Sequence, residues 1–292
     1  MAMSVNTNVV SLNAQRNLTA SQSSLSTSMQ RLSSGLRVNS AKDDAAGLAI
    51  AERMNSQVRG MNVAIRNAND GISFAQTAEG ALAKVGDSLQ RMRELTVQAR
   101  NGTNSNSDKD SLDKEFQQLA TEIGRVLGGT SFNGQNILAS AQTMTFQVGA
   151  NTTANDKIDI NTTNLTTDAN ITNVTTAKID NTVAAGTTRT NSSPTASNAT
   201  GLAKVMDDLD SAIDFVNGQR ATYGATQNRF DAVISNLQSS VENQSAARSR
   251  IMDADFASET ANMSRAQILQ QAGTAMVAQA NTLPQQVLSL LR

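Results

Sequence analysis

The chain has 292 residues, a formal net charge of −1 and no His, Cys or Trp. This charge gives no general attraction to nucleic acid or to acidic membrane surfaces, so neither is expected as a partner. The missing residue types exclude a His general base, a thiol nucleophile, and zinc sites with His or Cys ligands. We therefore expect no enzyme, no metal site and no cofactor.

The first residues carry no basic segment, no continuous apolar run and no small-residue cleavage site, so no signal peptide is expected. No run approaches the ~20 apolar residues that span a bilayer. By these rules alone the chain would be cytoplasmic. A dedicated exporter that recognises no conventional signal would escape them.

Residues 1–36 show apolar side chains at steps of three and four, which predicts a helix. Its other positions are mostly Ser, Asn, Gln and Thr, so its intrinsic propensity is weak and it needs a partner. Gly35 interrupts the pattern. Ser40 with Asp43 three residues later resembles a capping box that would start a second helix. The apolar positions of the first helix are Val5, Val9, Leu12, Leu25, Met29, Leu32 and Leu36.

A second helix is predicted from about Asp44 to Arg100 and should end at the Asn101-Gly102 pair. A heptad repeat held this long implies packing along a coiled-coil-like seam. Glycines inside the pattern indicate close helix packing. The repeat is Met54, Met61, Ala68, Ala75, Leu82 and Leu89, and the glycines are Gly71, Gly80 and Gly86.

A third helix is predicted between Leu112 and Val126, where apolar residues again step by four and three. Asn133-Gly134 is typical of a turn. Residues 143–148 and 157–160 favour β-strands on either side of a turn region, so a β-hairpin is expected. The segment 166–200 is rich in Thr and Asn and cannot bury much surface, which predicts a small exposed β element or a flexible loop.

Helical spacing returns at Leu202–Val216, at Phe230–Val241 and at Leu269–Leu290. Pro284 lies inside the last pattern and should kink or end that helix. Both chain ends thus carry core-like patterns, which indicates ends that pair with each other or with neighbouring copies. The predicted fold is mainly α: a long antiparallel helical bundle or coiled-coil rod formed by the N- and C-terminal segments, with a small β-hairpin and a short Thr/Asn-rich insert.

Acidic residues cluster at positions 43–44, 207–210 and 253–255. Paired carboxylates can bind a hard cation, but these spacings match no EF-hand loop, and acidic residues are favoured in a first helical turn. We interpret them as helix caps. Arg91, Arg93 and Arg100 line the polar side of the second helix, either as a solvated face with local ion pairs or as a contact surface between subunits.

Long and specific segments at both ends of the chain resemble bacterial flagellin, the subunit of the flagellar filament. The resemblance covers about 1–165 and 201–292, and Pro284 falls inside one of its segments. The matching segments are RLSSGLRVNSAKDDAAGLAIA at 31–51, RNANDGISFAQTAEGAL at 66–82, LQRMRELTVQAR at 89–100, FNGQNIL at 132–138, FQVGA at 146–150, GATQNRF at 224–230, AARSRIMDADF at 246–256, and ILQQAGTAMVAQANTLPQQVLSLLR at 268–292.

The resemblance implies three layers in a filament. Residues 1–43 and 252–292 would form a terminal helical domain that lines the inner tube. Residues 44–165 and 201–251 would form a helical rod with the β-hairpin in the outer tube, and 166–200 a variable, surface-exposed insert.

In this picture the weak terminal helices order on assembly, because burial of their apolar faces offsets the ordering entropy. Contacts that do not close on themselves then generate a helical filament. The candidate assembly contacts are Val5, Val9, Leu12, Leu25, Met29, Leu32, Leu269, Met276, Leu283, Val287 and Leu290.

The resemblance also implies partners. The chain would travel unfolded through a flagellar type III export channel, with an export chaperone on its C-terminal segment, and would meet filament cap and hook-junction proteins outside the cell. It would be a secreted component of the extracellular bacterial flagellum. A vertebrate Toll-like receptor is a further partner suggested by the family, and the matching positions are Gln90, Arg91 and Leu95, with Glu115 as an addition.

Two other functions compete with the filament subunit. A hook–filament junction protein shares related end motifs, but the completeness of both terminal motifs favours the flagellin. A metal-dependent enzyme using the carboxylate clusters is a third class, and the short insert without His argues against it.

Overall fold

A computed structural model of the chain describes residues 7–179 and 199–290, with side chains described over 7–179 and 201–282. Within these ranges the chain is mainly helical with a small β region, which confirms the predicted class. The helices are α1 (Val9–Ser34), α2 (Ala45–Ala99), α3 (Asn106–Gly129), α4 (Ala169–Thr175), α5 (Ala199–Met252) and α6 (Phe256–Leu290), and the strands are β1 (Ser131–Phe132), β2 (Gln135–Asn136), β3 (Gln142–Gln147) and β4 (Lys157–Thr162).

Residue contacts divide the chain into two compact units. The terminal unit comprises Met1–Val58 with Val241–Arg292, and the central unit comprises Arg59–Ser240. Both boundaries fall inside a long helix, α2 in one case and α5 in the other. The division at residues 43 and 252 made from the sequence concerns position in a filament and stays a prediction.

In the terminal unit, α1 ends at Gly35, whose φ of +72° is a left-handed conformation that favours glycine. Beyond it the chain pairs with the junction between α5 and α6. Leu36 forms an antiparallel bridge with Asp253, and the Arg37 N–H donates to the Met252 carbonyl at 2.6 Å. The two terminal segments of the sequence are therefore joined by backbone hydrogen bonds immediately after α1.

The start of α2 differs from the sequence prediction. The Asp43 carboxylate does accept hydrogen bonds from the N–H and hydroxyl of Ser40, at 2.9 and 3.0 Å, but this pair closes a turn and does not begin the helix. The helix begins at Ala45. Its cap is Asp44, whose carboxylate accepts from the Gly47 N–H at 2.8 Å.

The central unit is built around the apolar stripe of α2 that the heptad repeat predicts. Four of its members, Ala68, Ala75, Leu82 and Leu89, face the interior, where they pack with side chains from α3, α5 and the β-hairpin. Residues Met61, Ala68, Ala75, Leu82 and Leu89 of the repeat are buried, and Met54 is half-buried.

Only one of the three glycines singled out in α2 marks a close contact. A Cβ atom at Gly71 would lie 2.5 Å from the ring of Phe230 in α5, so no larger residue fits there without a shift. Nothing lies within 4 Å of a Cβ placed at Gly80 or Gly86. The expectation of close packing is therefore wrong at those two positions, which a local helical spacing could not distinguish from the first.

The predicted β-hairpin forms, and a second, shorter antiparallel pair flanks the predicted turn. Asn133 and Gly134 have φ of +49° and +78°, which are the left-handed values that a two-residue turn between β1 and β2 requires. Strand β3 pairs with β4 from Gln142 opposite Thr162 to Gln147 opposite Lys157. The alternation along β4 buries every second side chain, Ile158 and Ile160 among them.

The beginning of the insert is not the exposed β element or loop that its composition predicts. Residues 169–175 form helix α4, and the buried side chains here and just beyond it are Ile171, Val174, Ala177 and Ile179.

Helix α3 holds this stretch through two polar contacts. The Gln117 side chain donates to the Ala177 carbonyl at 2.7 Å, and the Asp113 carboxylate accepts from the Ile179 N–H at 2.6 Å. Residues 180–198 of the insert lie outside the described residues.

Helix α6 also corrects the sequence prediction. It runs from Phe256 to Leu290, so of the two effects predicted for Pro284 the end of the helix does not occur, and the kink stays a prediction. At the start of the helix, the Asp255 carboxylate accepts from the Ala257 N–H at 2.9 Å, which satisfies one of the free amide groups of the first turn. The acidic pair at 253–255 thus supplies a cap, as interpreted from the sequence.

Candidate assembly and recognition surfaces

Helices α1 and α6 of the terminal unit contact each other along their lengths in antiparallel orientation. Near the start of α1 the Asn8 side chain donates to the Ala280 carbonyl at 2.7 Å. Near its end an Arg31 guanidinium nitrogen lies 3.9 Å from a Glu259 carboxylate oxygen. The first residues of α1 therefore face the last described turns of α6, as the pairing of chain ends predicts.

The apolar contact between the two helices is narrow. Leu25 is buried, and Leu18 lies so close to Gly273 that a Cβ atom there would be 3.2 Å from a Leu18 methyl group. Ser11 is buried as well, and its hydroxyl donates to the Asn281 side chain at 2.7 Å. Small and polar residues thus occupy much of the seam, which lets the helices approach closely but buries little apolar surface.

Many large apolar side chains on α1 and α6 remain uncovered. Isolated exposed apolar residues are ordinary, but a set concentrated on one helix pair marks an interaction surface. The uncovered side chains, each about half or more exposed, are Val9, Val10, Leu12 and Met29 on α1 and Phe256, Ile268, Leu269 and Met276 on α6.

The predicted assembly contacts follow this division. Leu25 is buried inside the helix pair and Leu32 is half-buried, whereas the other described members are exposed. Val5 lies outside the described residues, and so do the side chains of Leu283, Val287 and Leu290. The exposed described members are Val9, Leu12, Met29, Leu269 and Met276.

Helix α1 gains little from its own sequence. Four of its hydroxyl side chains donate to the carbonyl one turn earlier, at 3.0–3.1 Å, an arrangement that slightly destabilises a helix. These side chains are Thr19, Ser21, Ser24 and Thr27. Its stability therefore depends on packing, which α6 supplies only in part.

A second candidate surface lies in the central unit, where α2 meets α3. The Arg91 guanidinium donates to the Glu115 carboxylate at 2.8 Å and to the Glu94 carboxylate at 3.0 Å. The hydrogen bond to Glu115 is the main cause of the raised pKa of Arg91. Gln90, Arg91 and Glu115 are exposed side by side with Glu94, which makes a polar surface carrying both charges.

The fourth predicted recognition residue, Leu95, is not on that surface. It is 1 % exposed and belongs to the central core, so its burial does not favour a direct contact with a partner. The sequence contained the signal, because Leu95 lies three residues after Met92, a member of the buried stripe. The contact role of Leu95 stays a prediction, and its burial does not support it.

Other charges on α2 serve contacts within the chain. Arg93 donates to the Asp210 carboxylate of α5 at 2.6 Å, and this hydrogen bond raises the pKa of Arg93. Asp208, nearly buried on α5, pairs with Lys204 one turn earlier. In the part of the chain that the structure describes, no group of three or more acidic residues could hold a metal ion, and no helix is long and apolar enough to cross a membrane.

The fold and these surfaces define a class of protein: a mainly helical chain whose helices α1 and α6 pair and leave large apolar side chains exposed. Comparison with known families agrees. Residues 5–143 match the family described as the bacterial flagellin N-terminal helical region, and residues 206–291 match the bacterial flagellin C-terminal helical region. The chain belongs to the bacterial flagellin family.

Full-length relatives point the same way. The chain is 47 % identical over 351 residues to a flagellin of Serratia marcescens, with all of both chains covered. It is 43 % identical over 291 residues to a flagellin of Halalkalibacterium halodurans, covering 99 % of this chain and 100 % of the relative. These matches favour a flagellin over a hook–filament junction protein.

A solved structure described as a flagellar hook-associated protein from Vibrio parahaemolyticus shares the fold. The two are 13 % identical with a TM-score of 0.56, covering 72 % of this chain and 100 % of that one. At this identity the likeness concerns the fold alone.

Proposed function

We infer that the chain is a structural subunit that polymerises into the bacterial flagellar filament. The observation that carries this inference is the helix pair α1–α6, which buries its narrow seam but leaves large apolar side chains exposed on both helices. Full burial of one such side chain stabilises an assembly by roughly 1.5–3 kcal/mol. Contacts with several neighbouring copies can therefore hold a polymer together. A contact that does not close on itself extends into a helical filament.

The position of each segment in the filament follows from the family. The helices of 1–43 and 252–292 would line the inner tube, 44–165 and 201–251 would form the outer tube, and 166–200 would lie outermost. The exposed apolar side chains on α1 and α6 support the assignment to the inner tube, because helices in the innermost layer of a filament would be surrounded by helices of other copies.

The finer history of the chain is also a proposal. It would be exported unfolded through the flagellar channel to an extracellular position, consistent with a sequence that contains no Cys to cross-link. An export chaperone would cover the C-terminal segment, where Ile268, Leu269 and Met276 are exposed. The filament cap and the hook-junction proteins would be its partners at the two ends of the polymer.

A Toll-like receptor of vertebrates is proposed as a partner of the α2–α3 surface. Gln90, Arg91 and Glu115 support this proposal, because they are exposed and lie together through the Arg91–Glu115 ion pair.

Assembly through the α6 face is tested with the double variant Leu269→Ser/Met276→Ser. Seeded elongation is followed by light scattering, with Gln271→Ser/Gln279→Ser as the matched control on exposed polar positions of the same helix. Loss of roughly 1.5–3 kcal/mol per side chain should raise the critical concentration at least about tenfold, while the control elongates normally. Normal elongation by the first variant would refute a contact role for this face.

Receptor recognition is tested with Arg91→Ala in a reporter-cell assay on the folded monomer. Arg125→Ala is the control, because it removes another exposed, ion-paired arginine from the neighbouring helix. We expect at least about a tenfold loss of potency for Arg91→Ala, since hydrogen bonds to charged groups contribute about 1.5–3 kcal/mol, and no change for the control. Unchanged potency of both variants would remove the proposed surface.

A further inference from the structure

The chain contains three Asn-Gly dipeptides, at 101–102, 133–134 and 217–218. Such pairs are chemically labile, because the glycine amide nitrogen can attack the carboxamide carbon of the preceding asparagine, and glycine has no Cβ to hinder the approach. Backbone conformation decides whether the two atoms can meet. The three pairs lie in three different backbone conformations, so the structure predicts a different reactivity for each.

Asn133 is the most reactive of the three by its surroundings. Both Asn133 and Gly134 are exposed and occupy left-handed φ. In the described part of the chain neither the Asn133 carboxamide nor the Gly134 N–H has a hydrogen-bond partner. The flanking strands β1 and β2 are only two residues each, and so short a pair opens readily.

Asn217 is a control supplied by the chain itself. Asn217 and Gly218 are exposed like the turn pair, but they lie inside α5. There the Gly218 N–H is committed to the helical hydrogen-bond ladder, and the helix fixes the backbone away from the cyclic geometry. At the third site the Asn101 side-chain oxygen accepts from the Thr103 N–H at 3.4 Å, which holds its carboxamide in place.

We propose that Asn133 is a site of spontaneous deamidation and isomerisation in the folded chain. Hydroxide removes the proton from the Gly134 nitrogen, which bonds to the Asn133 carboxamide carbon. The bond from that carbon to the side-chain nitrogen breaks, and ammonia leaves after taking a proton from water. Water then opens the five-membered imide at either carbonyl, which gives an aspartyl or an isoaspartyl residue. One water is consumed and one ammonia released, and no oxidant is needed.

The modification changes the packing of the central unit. An isoaspartyl residue passes the main chain through its side-chain carbon, so the two-residue turn no longer closes β1 on β2. Phe132 in β1 packs edge-to-face on Phe74, with ring centroids 5.8 Å apart. Loss of the turn releases this contact. Each conversion also adds a negative charge to the surface, so older subunits would differ from new ones in charge and in local order.

The experiment incubates the purified full-length monomer at neutral and at mildly alkaline pH and follows tryptic peptides by mass spectrometry. Conversion at 133 should be at least about tenfold faster than at 217, because reaction inside α5 first requires local unfolding. Its rate should rise in proportion to hydroxide. Isoaspartyl product is identified by its susceptibility to a protein isoaspartyl methyltransferase.

Two controls test whether the signal comes from Asn133 and whether backbone conformation causes the difference in rate. In urea the rates at 133 and 217 should become similar, because the backbone no longer distinguishes them. The variant Asn133→Gln should abolish the signal at that position. Equal rates at the two sites in the folded chain, or no conversion at 133 under conditions where the unfolded chain converts, would overturn the proposal.

Discussion

At the scale of single residues, Gly71 shows how one missing side chain positions two helices. The Phe230 ring occupies the space where a Cβ would stand, and it is fully buried and packed edge-to-face on Phe146, with centroids 5.6 Å apart. The ring therefore has little room to move. Gly80, nine residues along the same helix, is exposed and has open space around it. The packing therefore requires glycine at position 71 but not at position 80.

We predict opposite effects of alanine at these two glycines. Gly71→Ala should lower the free energy of unfolding by about 1–3 kcal/mol, because the new methyl group overpacks the contact with Phe230. Gly80→Ala should leave it unchanged or raise it by up to about 1 kcal/mol, since alanine is the better helix former. Urea denaturation of the monomer, followed by circular dichroism, measures both. An unchanged free energy of unfolding for Gly71→Ala would show that the two helices can shift apart here to make room for the methyl group.

At the scale of elements, short polar turns fix where helices begin. Helix α3 starts with a complete capping box: the Asp108 carboxylate accepts from the Ser105 N–H and hydroxyl at 2.9 and 2.7 Å, and the Ser105 hydroxyl accepts from the Asp108 N–H. The hydroxyl hydrogen bond is the main cause of the lowered pKa of Asp108. In the turn between β3 and β4, the Asp156 carboxylate likewise accepts from the Thr153 N–H and hydroxyl.

This cap predicts a dependence of stability on pH. The folded state lowers the pKa of Asp108, so the ionised carboxylate stabilises the fold. This stabilisation is present above the pKa of the unfolded chain, about 3.9, and is lost as pH falls through the pKa of the folded state. Asp108→Asn should therefore lower the melting temperature at neutral pH, and the deficit should shrink in acid. Asp110→Asn, an exposed site in the same helix, controls for charge. A deficit for Asp108→Asn that persists unchanged in acid would contradict the assignment.

At the scale of the whole molecule, the two units rest on different kinds of packing. The central unit buries large side chains such as Phe74, Phe116 and Phe230 in one continuous core. In the terminal unit the described core cluster is small and consists of Val38, Ala51 and Met252 with their neighbours. The central unit thus has the larger core of the two, whereas the terminal helices leave more large apolar side chains uncovered.

Removing residues 263–292 should separate these two behaviours. Helix α1 loses its partner, so seeded polymerisation should stop. Tyr223, the single tyrosine, is buried in the central unit and reports on that unit alone. Its near-UV signal should melt at the temperature of the full chain. Continued polymerisation by the truncated chain would contradict the role of the helix pair, and an earlier Tyr223 transition would show that the central unit depends on it.

The sequence predicted the long helices because their apolar residues repeat at a spacing that only one secondary structure uses. It did not predict α4, because the Thr/Asn-rich composition outweighed a short local pattern: Ile171 and Val174 at helical spacing after the cap Asp168. Nor did it place Leu95, whose motif suggested a surface contact while its spacing indicated the core. Composition and motif are averages over a segment, and burial is decided one side chain at a time.

The Asn8–Ala280 hydrogen bond has a kinetic consequence, because its partners are 272 residues apart in sequence. Closing a loop of that length is entropically costly, and such non-local pairing forms late in folding. Helix α1 leaves the ribosome before α6 and stays without its partner until α6 has followed. The same loop-closure entropy rises by only about 0.6 kcal/mol for each doubling of length. The middle of the chain can therefore grow or shrink with little effect on the pairing of its ends.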